Sequence, residues 1–157
     1  MNEYGKLHHS NGQYTLRFER TFPHEMETVF SIITNPSHFT QWYPFATGEM
    51  DLSVGGKIAF DDGEGTTYEG IITELEKPSV FGFREVDDLV HITLVEVENG
   101  CRMIFKHTFH DDSWSVQTAA GWHRCLDVLG QIINGAPIIW HENAAELRKI
   151  YAERFKR

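Results

Sequence analysis

The chain changes its hydrophobic period once, and that change limits the folds open to it. From Phe45 to Phe109 the residues alternate in short runs separated by turn signals. Glu49 to Ser53 reads as a strand end, Gly55-Gly56 as a tight turn and Lys57 to Phe60 as the next strand. Asp61 to Gly65 is a polar hairpin loop with two glycines for positive φ. Thr66 to Leu75, Val80 to Val86, Leu89 to Glu98 and Cys101 to Phe109 follow as strands. Their links are Lys77-Pro78-Ser79, Asp87-Asp88 and Asn99-Gly100, the last a strong hairpin signal. Then Trp114, Thr118, Trp122, Leu126, Leu129 and Ile133 step by four or three, with Arg124, Asp127 and Gln131 opposite. That stripe predicts an amphipathic helix of about five turns. Gly121 and Gly130 should thin it where it crosses the strands. Antiparallel strands followed by a helix with one apolar face predict an α+β arrangement, the helix laid on the sheet.

The N-terminal third supplies the remaining pieces. Residues 1–12 read as a flexible leader, and Tyr14, Leu16 and Phe18 begin a half-buried strand. Pro23 stops that ladder, and Met26, Val29, Phe30 and Ile33 take up helical spacing. Asn35-Pro36 ends this helix and opens a second short one to Trp42, while Asn143 to Phe155 reads as a last helix. With 157 residues and no linker or repeat, residues 13–157 are expected to form one domain.

Charge and motif content remove several function classes. Fourteen Lys and Arg against 23 Asp and Glu leave a formal charge of −9. Such a chain is poorly suited to phosphate contacts, so no nucleic-acid partner is expected. No run approaches the roughly 20 apolar residues of a spanning helix, so no membrane insertion is expected. The polar start has no signal-peptide core, and two cysteines without CxxC fit a reducing, cytoplasmic setting. HExxH, GxSxG and GxGxxG are all absent, and the nine histidines lack metal-ligand spacing. No metal or cofactor is expected.

Several short segments resemble one family. Phe22-Pro23 with Val29-Phe30, Asn35-Pro36, Trp42, Gly48-Glu49-Met50-Asp51-Leu52 and Val54-Gly55-Gly56 carry the first part of the likeness. His107-x-Phe109 and Gly121-Trp122 opening into Leu126 and Leu129 carry the rest. Together they resemble the activators of the ninety-kilodalton heat-shock protein ATPase, within the START-like helix-grip superfamily. The resemblance implies a curved antiparallel sheet around the long helix, with two short helices after the first strand and an apolar cavity inside. It also implies a choice of activities: a small-molecule or lipid carrier, a cyclase- or hydrolase-like enzyme, or a co-chaperone-like module with a chaperone partner. The separate N-terminal domain of the eukaryotic co-chaperone has no counterpart here, which weakens the expectation of chaperone activation.

Strand parity then proposes a lining for that cavity. Phe60, Phe81, Phe83, Phe105 and His107 fall on inward tracks, as do Ile92 and Leu94 on the strand with two apolar faces. Trp122 and Leu126 face them from the helix, and Trp42 and Tyr68 add polar handles that need partners if buried. These eleven residues are the candidate ligand site for a small aromatic, polyketide-like or lipid molecule. A solid aromatic core accounts for the same pattern. His107 would be the acid or base of an enzyme, since its reference pKa lies near neutrality. Its alternative is a core histidine satisfied by a backbone or carboxylate partner. Access is expected near the short helices and the Asp61 to Gly65 hairpin.

Overall fold

The computed structural model describes residues 4–156. Eight strands form one antiparallel sheet: β1 (Lys6–Ser10), β2 (Gln13–Phe22), β3 (Ala46–Met50), β4 (Lys57–Asp61), β5 (Thr67–Glu76), β6 (Val80–Glu85), β7 (Asp88–Val97) and β8 (Gly100–Phe109). Their spatial order is β1-β2-β8-β7-β6-β5-β4-β3. All links are hairpins except one: from β2 the helices α1 (Met26–Thr34) and α2 (Pro36–Trp42) carry the chain to β3 at the far edge, and β8 comes back to pair with β2. The long α3 (Ser115–Ile133) and the final α4 (Ala144–Arg154) follow the last strand. The α+β, helix-grip expectation holds, with a curved sheet.

Local chemistry explains the breaks. Asn35 ends α1 and caps α2, its Oδ1 accepting from the amides of Ser37 at 2.9 Å and His38 at 3.3 Å. Pro36 begins α2, where its missing N–H costs nothing. At the β7–β8 turn Asn99 takes φ +65, and a Cβ on Gly100 would stand 2.0 Å from the Phe22 carbonyl oxygen. Only glycine lets β8 start so close to the end of β2.

The inner face of the sheet follows parity. Met103 and Phe105 are fully buried, and His107 and Phe109 nearly so. Val90, Ile92 and Leu94 are 2–3 % exposed, which resolves β7 in favour of that track. Leu126 and Leu129 press on this face from α3.

Three expectations are corrected. The leader is not loose over Lys6–Ser10, which pairs with Gln13–Arg17 as an edge strand; Met1 to Glu3 lie outside the described residues. Trp114 does not belong to the buried stripe: it ends a 3-10 turn before α3 and is 65 % exposed. Gly121 does not mark a helix–strand crossing, because a Cβ there would meet nothing within 4 Å.

Candidate functional site

Between α3 and the sheet, side chains fill the space proposed for a ligand. Phe81, Phe83 and Phe105 are fully buried. Phe105 meets the Trp122 ring at 4.9 Å between centroids, and Phe81 meets Phe83 at 5.3 Å. Phe39 of α2 closes on both Phe81 and Phe83. Ile92 and Leu94 are buried in the same cluster. Leu126 also borders a second, more polar cleft of about 550 Å³ against α4, and Phe60 and Tyr68 border another over β4 and β5. Of the eleven candidates, the structure brings Trp42, His107 and Trp122 together around open space.

That space is a cleft of about 920 Å³ at the end of the sheet where β6 turns into β7. It exceeds the roughly 300 Å³ that a drug-sized ligand needs. The end of α2 and the following loop give Trp42, Tyr43 and Phe45; the β6–β7 turn gives Glu85 to Asp88. Gln117, Thr118, Gly121, Trp122 and Cys125 come from α3, and Trp140 closes the rim. The Asp61 to Gly65 hairpin is not part of this wall; the mouth lies at the β6–β7 turn instead.

Trp140 reaches the rim because residues after α3 fold back over its polar side. Gln131 brackets Ile139, its Oε1 accepting from the Ile139 amide at 2.7 Å and its Nε2 donating to the Ile139 carbonyl at 3.1 Å. Arg124 Nε donates to the His141 carbonyl at 3.2 Å, and its guanidinium lies 5.6 Å from the Trp140 ring centre. The polar stripe Arg124, Asp127, Gln131 is therefore covered by chain rather than left to solvent alone.

Two hydrogen-bonded hubs set the polarity of the cleft. Trp122 Nε1 donates to His107 Nδ1 at 3.0 Å, and His107 Nε2 lies 2.9 Å from Asp88 Oδ2. An indole nitrogen only donates, so Nδ1 accepts and the imidazole proton sits on Nε2, given to Asp88. Both ring nitrogens are thus engaged. At the second hub Glu85 accepts from two hydroxyls, Tyr43 on Oε1 and Tyr68 on Oε2, the latter at 2.8 Å. Burial first, then the Glu85 charge, pushes the Tyr43 hydroxyl well above its ordinary pKa. Burial pushes the Cys125 thiol up to about 12, which disfavours its thiolate. Trp42 is 1 % exposed, and its Nε1–H has no acceptor among the described residues. An unmet buried donor is costly and needs an explanation.

Backbone strain gathers at the same place. Among the described residues four non-glycines have positive φ; Asn11 and Asn99 tolerate it, but Phe45 (φ +67) and Val86 (φ +57) do not. Both line the cleft. Each such conformation costs about 1–3 kcal/mol and is typical of functional positions.

Sequence reasoning missed Tyr43, Glu85 and Asp88. Glu85 extends the inward track of Phe81 and Phe83, and Asp88 that of Val90 and Ile92. Reading the turn as Asp87-Asp88 hid this; the register pairs Glu85 with Asp88 around Val86 and Asp87.

A curved eight-stranded antiparallel sheet closed over one long helix, with a cleft at its open end, defines a helix-grip protein. Residues 23–134 match the family described as activator of Hsp90 ATPase homolog 1-like protein, and the chain belongs to that family. No curated protein matches it. Among solved structures, a conserved protein of unknown function from Enterococcus faecalis is similar at TM-score 0.82 and 17% identity, covering 96% of this chain and 89% of that one. CalU16 from Micromonospora echinospora is similar at TM-score 0.75 and 19% identity, covering 99% and 98%. The Aha1 dimer from Colwellia psychrerythraea gives TM-score 0.63 and 16% identity over 76% of this chain and 95% of that one. These likenesses carry the fold. No helix among the described residues is long and apolar enough to cross a membrane.

Proposed function

We propose that this protein binds a small apolar molecule with an aromatic body in the cleft between α3, the α2–β3 loop and the β6–β7 turn. The observation that carries this reading is the coincidence of three features in one wall. Aromatic side chains of Trp42, Tyr43, Phe45, Trp122 and Trp140 line it, Trp42 holds a buried donor unmet among the described residues, and the strained Phe45 and Val86 frame it. Pockets for small molecules are mostly apolar with a few orienting polar groups, and this wall has that composition. Binding without turnover is favoured over a cyclase- or hydrolase-like reaction because His107 already spends both nitrogens on Trp122 and Asp88. The co-chaperone alternative draws on the family's description alone.

Gly121 gives the direct test. It lies on the cleft wall and an added Cβ would meet nothing within 4 Å, so Gly121→Leu projects a side chain from that wall into the cleft. Leucine also improves helix propensity by up to about 1 kcal/mol. The neutral fluorophore N-phenyl-1-naphthylamine should bind the native protein saturably at one site. Gly121→Leu should lose that binding while its unfolding midpoint stays equal or rises. Undiminished binding in this variant would place the fluorophore elsewhere and remove the cleft from the account.

A further inference from the structure

The end of the β6–β7 hairpin carries three carboxylates in four residues: Glu85, Asp87 and Asp88 around Val86. Glu85 and Asp88 are direct cross-strand partners, an arrangement in which like charges repel. Neighbouring groups nevertheless hold both in place. Two tyrosine hydroxyls donate to Glu85, and the His107 imidazole donates to Asp88. Hydrogen bonds of this kind fix the orientation of a carboxylate. Among the described residues no Lys or Arg pairs with Glu85, Asp87 or Asp88. The one cation in the cleft wall, Arg124, is turned to the Trp140 face and the His141 carbonyl.

The aromatic side chains of Trp42, Tyr43 and Trp122 line the same cleft. Aromatic faces attract cations, most strongly where water is excluded. The Arg124 guanidinium over Trp140 is that interaction already made at the rim. A wall of aromatic rings and oriented carboxylates with its own cation diverted is complementary to a positive charge on the ligand.

We infer that the molecule taken by this cleft is a cationic amphiphile, an aromatic body bearing a protonated amine or quaternary ammonium that faces Glu85 and Asp88. The inference rests on the cleft reading above and adds the charge class. Glu85, Asp87 and Asp88 become the determinants of selectivity, while the aromatic residues supply affinity common to neutral and charged ligands. Neutral molecules of the same shape fit but bind more weakly, and anions are repelled.

Three probes of one shape separate these contributions: 2-naphthylmethylammonium, 2-naphthalenemethanol and 2-naphthoate, titrated at pH 7 into isotopically labelled protein and followed by NMR shifts. The ammonium should bind about tenfold more tightly than the alcohol, with naphthoate weakest. That preference should shrink as salt rises, because exposed charges are screened. Glu85→Gln should reduce it to about threefold or less while leaving the alcohol's affinity in place. Asp87→Asn, at an exposed turn position, should reduce it in part and keeps the test valid if Glu85→Gln folds poorly. Equal affinity for ammonium and alcohol, or tightest binding of naphthoate, overturns the charge assignment and leaves the cleft reading standing. Failure of all three probes to bind overturns both.

Discussion

Trp122 joins the core to the cleft through one side chain. Its ring packs on Phe105 and Tyr43, at 4.9 and 5.2 Å between centroids, and its Nε1 fixes the His107 tautomer. Truncation should therefore be felt twice. Trp122→Ala should cost about 3–5 kcal/mol of stability, as for other buried large-to-alanine changes. Trp122→Phe keeps most of the packing but leaves His107 Nδ1 without a donor, and should cost about 1–3 kcal/mol. Urea unfolding measures both, and a phenylalanine variant as stable as the native protein would remove the hydrogen bond from the argument. The track that places Trp122 opposite Phe105 was legible at this scale, since a period of two and a stripe of four identify facing residues without coordinates. The choice between a lined cavity and a packed core was not. Parity tells which way a ring points, and only the distances between rings tell whether space remains.

The elements followed the sequence wherever one face had to be buried. β7 and β8, the stripe of α3 and both short helices lie within a few residues of their expected bounds. Two elements departed for identifiable reasons. β1 has no buried alternation to announce it, because it is an edge strand whose five residues are almost all exposed. The β6–β7 turn falls one residue early because Val86 takes a left-handed conformation that valine disfavours. The segment after α3 carried no sign in its pattern that it would cover the helix's polar side.

The C-terminal helix offers a pH test at this scale. α4 is fastened by Tyr151, whose hydroxyl accepts from the Gly5 amide and meets His123 Nδ1, each at 2.8 Å. Burial is the largest influence on His123 and lowers its pKa from 6.5; Asp127 acts to raise it and Arg20 to lower it. The folded chain therefore binds this proton less readily than the unfolded chain does. The unfolded state holds the extra proton below pH 6.5, so this contribution is full above that value and declines as pH falls through it. Unfolding midpoints between pH 5 and 8 should drop on the acid side, and His123→Gln should flatten that limb. An unchanged slope in the variant would exclude His123 as its source.

For the whole molecule, the decisive feature is where the fold leaves room. The interior between α3 and the sheet is occupied by Phe81, Phe83, Phe105 and Trp122, and the open volume lies at the end of the sheet beside the β6–β7 turn. The excess of acidic residues legible in the composition has a local expression there, in Glu85, Asp87 and Asp88. Sequence supplied the sign of the charge but not its address, because that address depends on a turn register. The most direct measurement is a two-dimensional ¹H–¹⁵N NMR titration with 2-naphthylmethylammonium. The account predicts that the indole N–H signals of Trp42, Trp122 and Trp140 shift together and saturably, while the amides of Ile92 and Leu94 stay in place. Shifts centred on Ile92, Leu94 and Phe105 with the three indole signals unmoved would put the ligand between helix and sheet and contradict it.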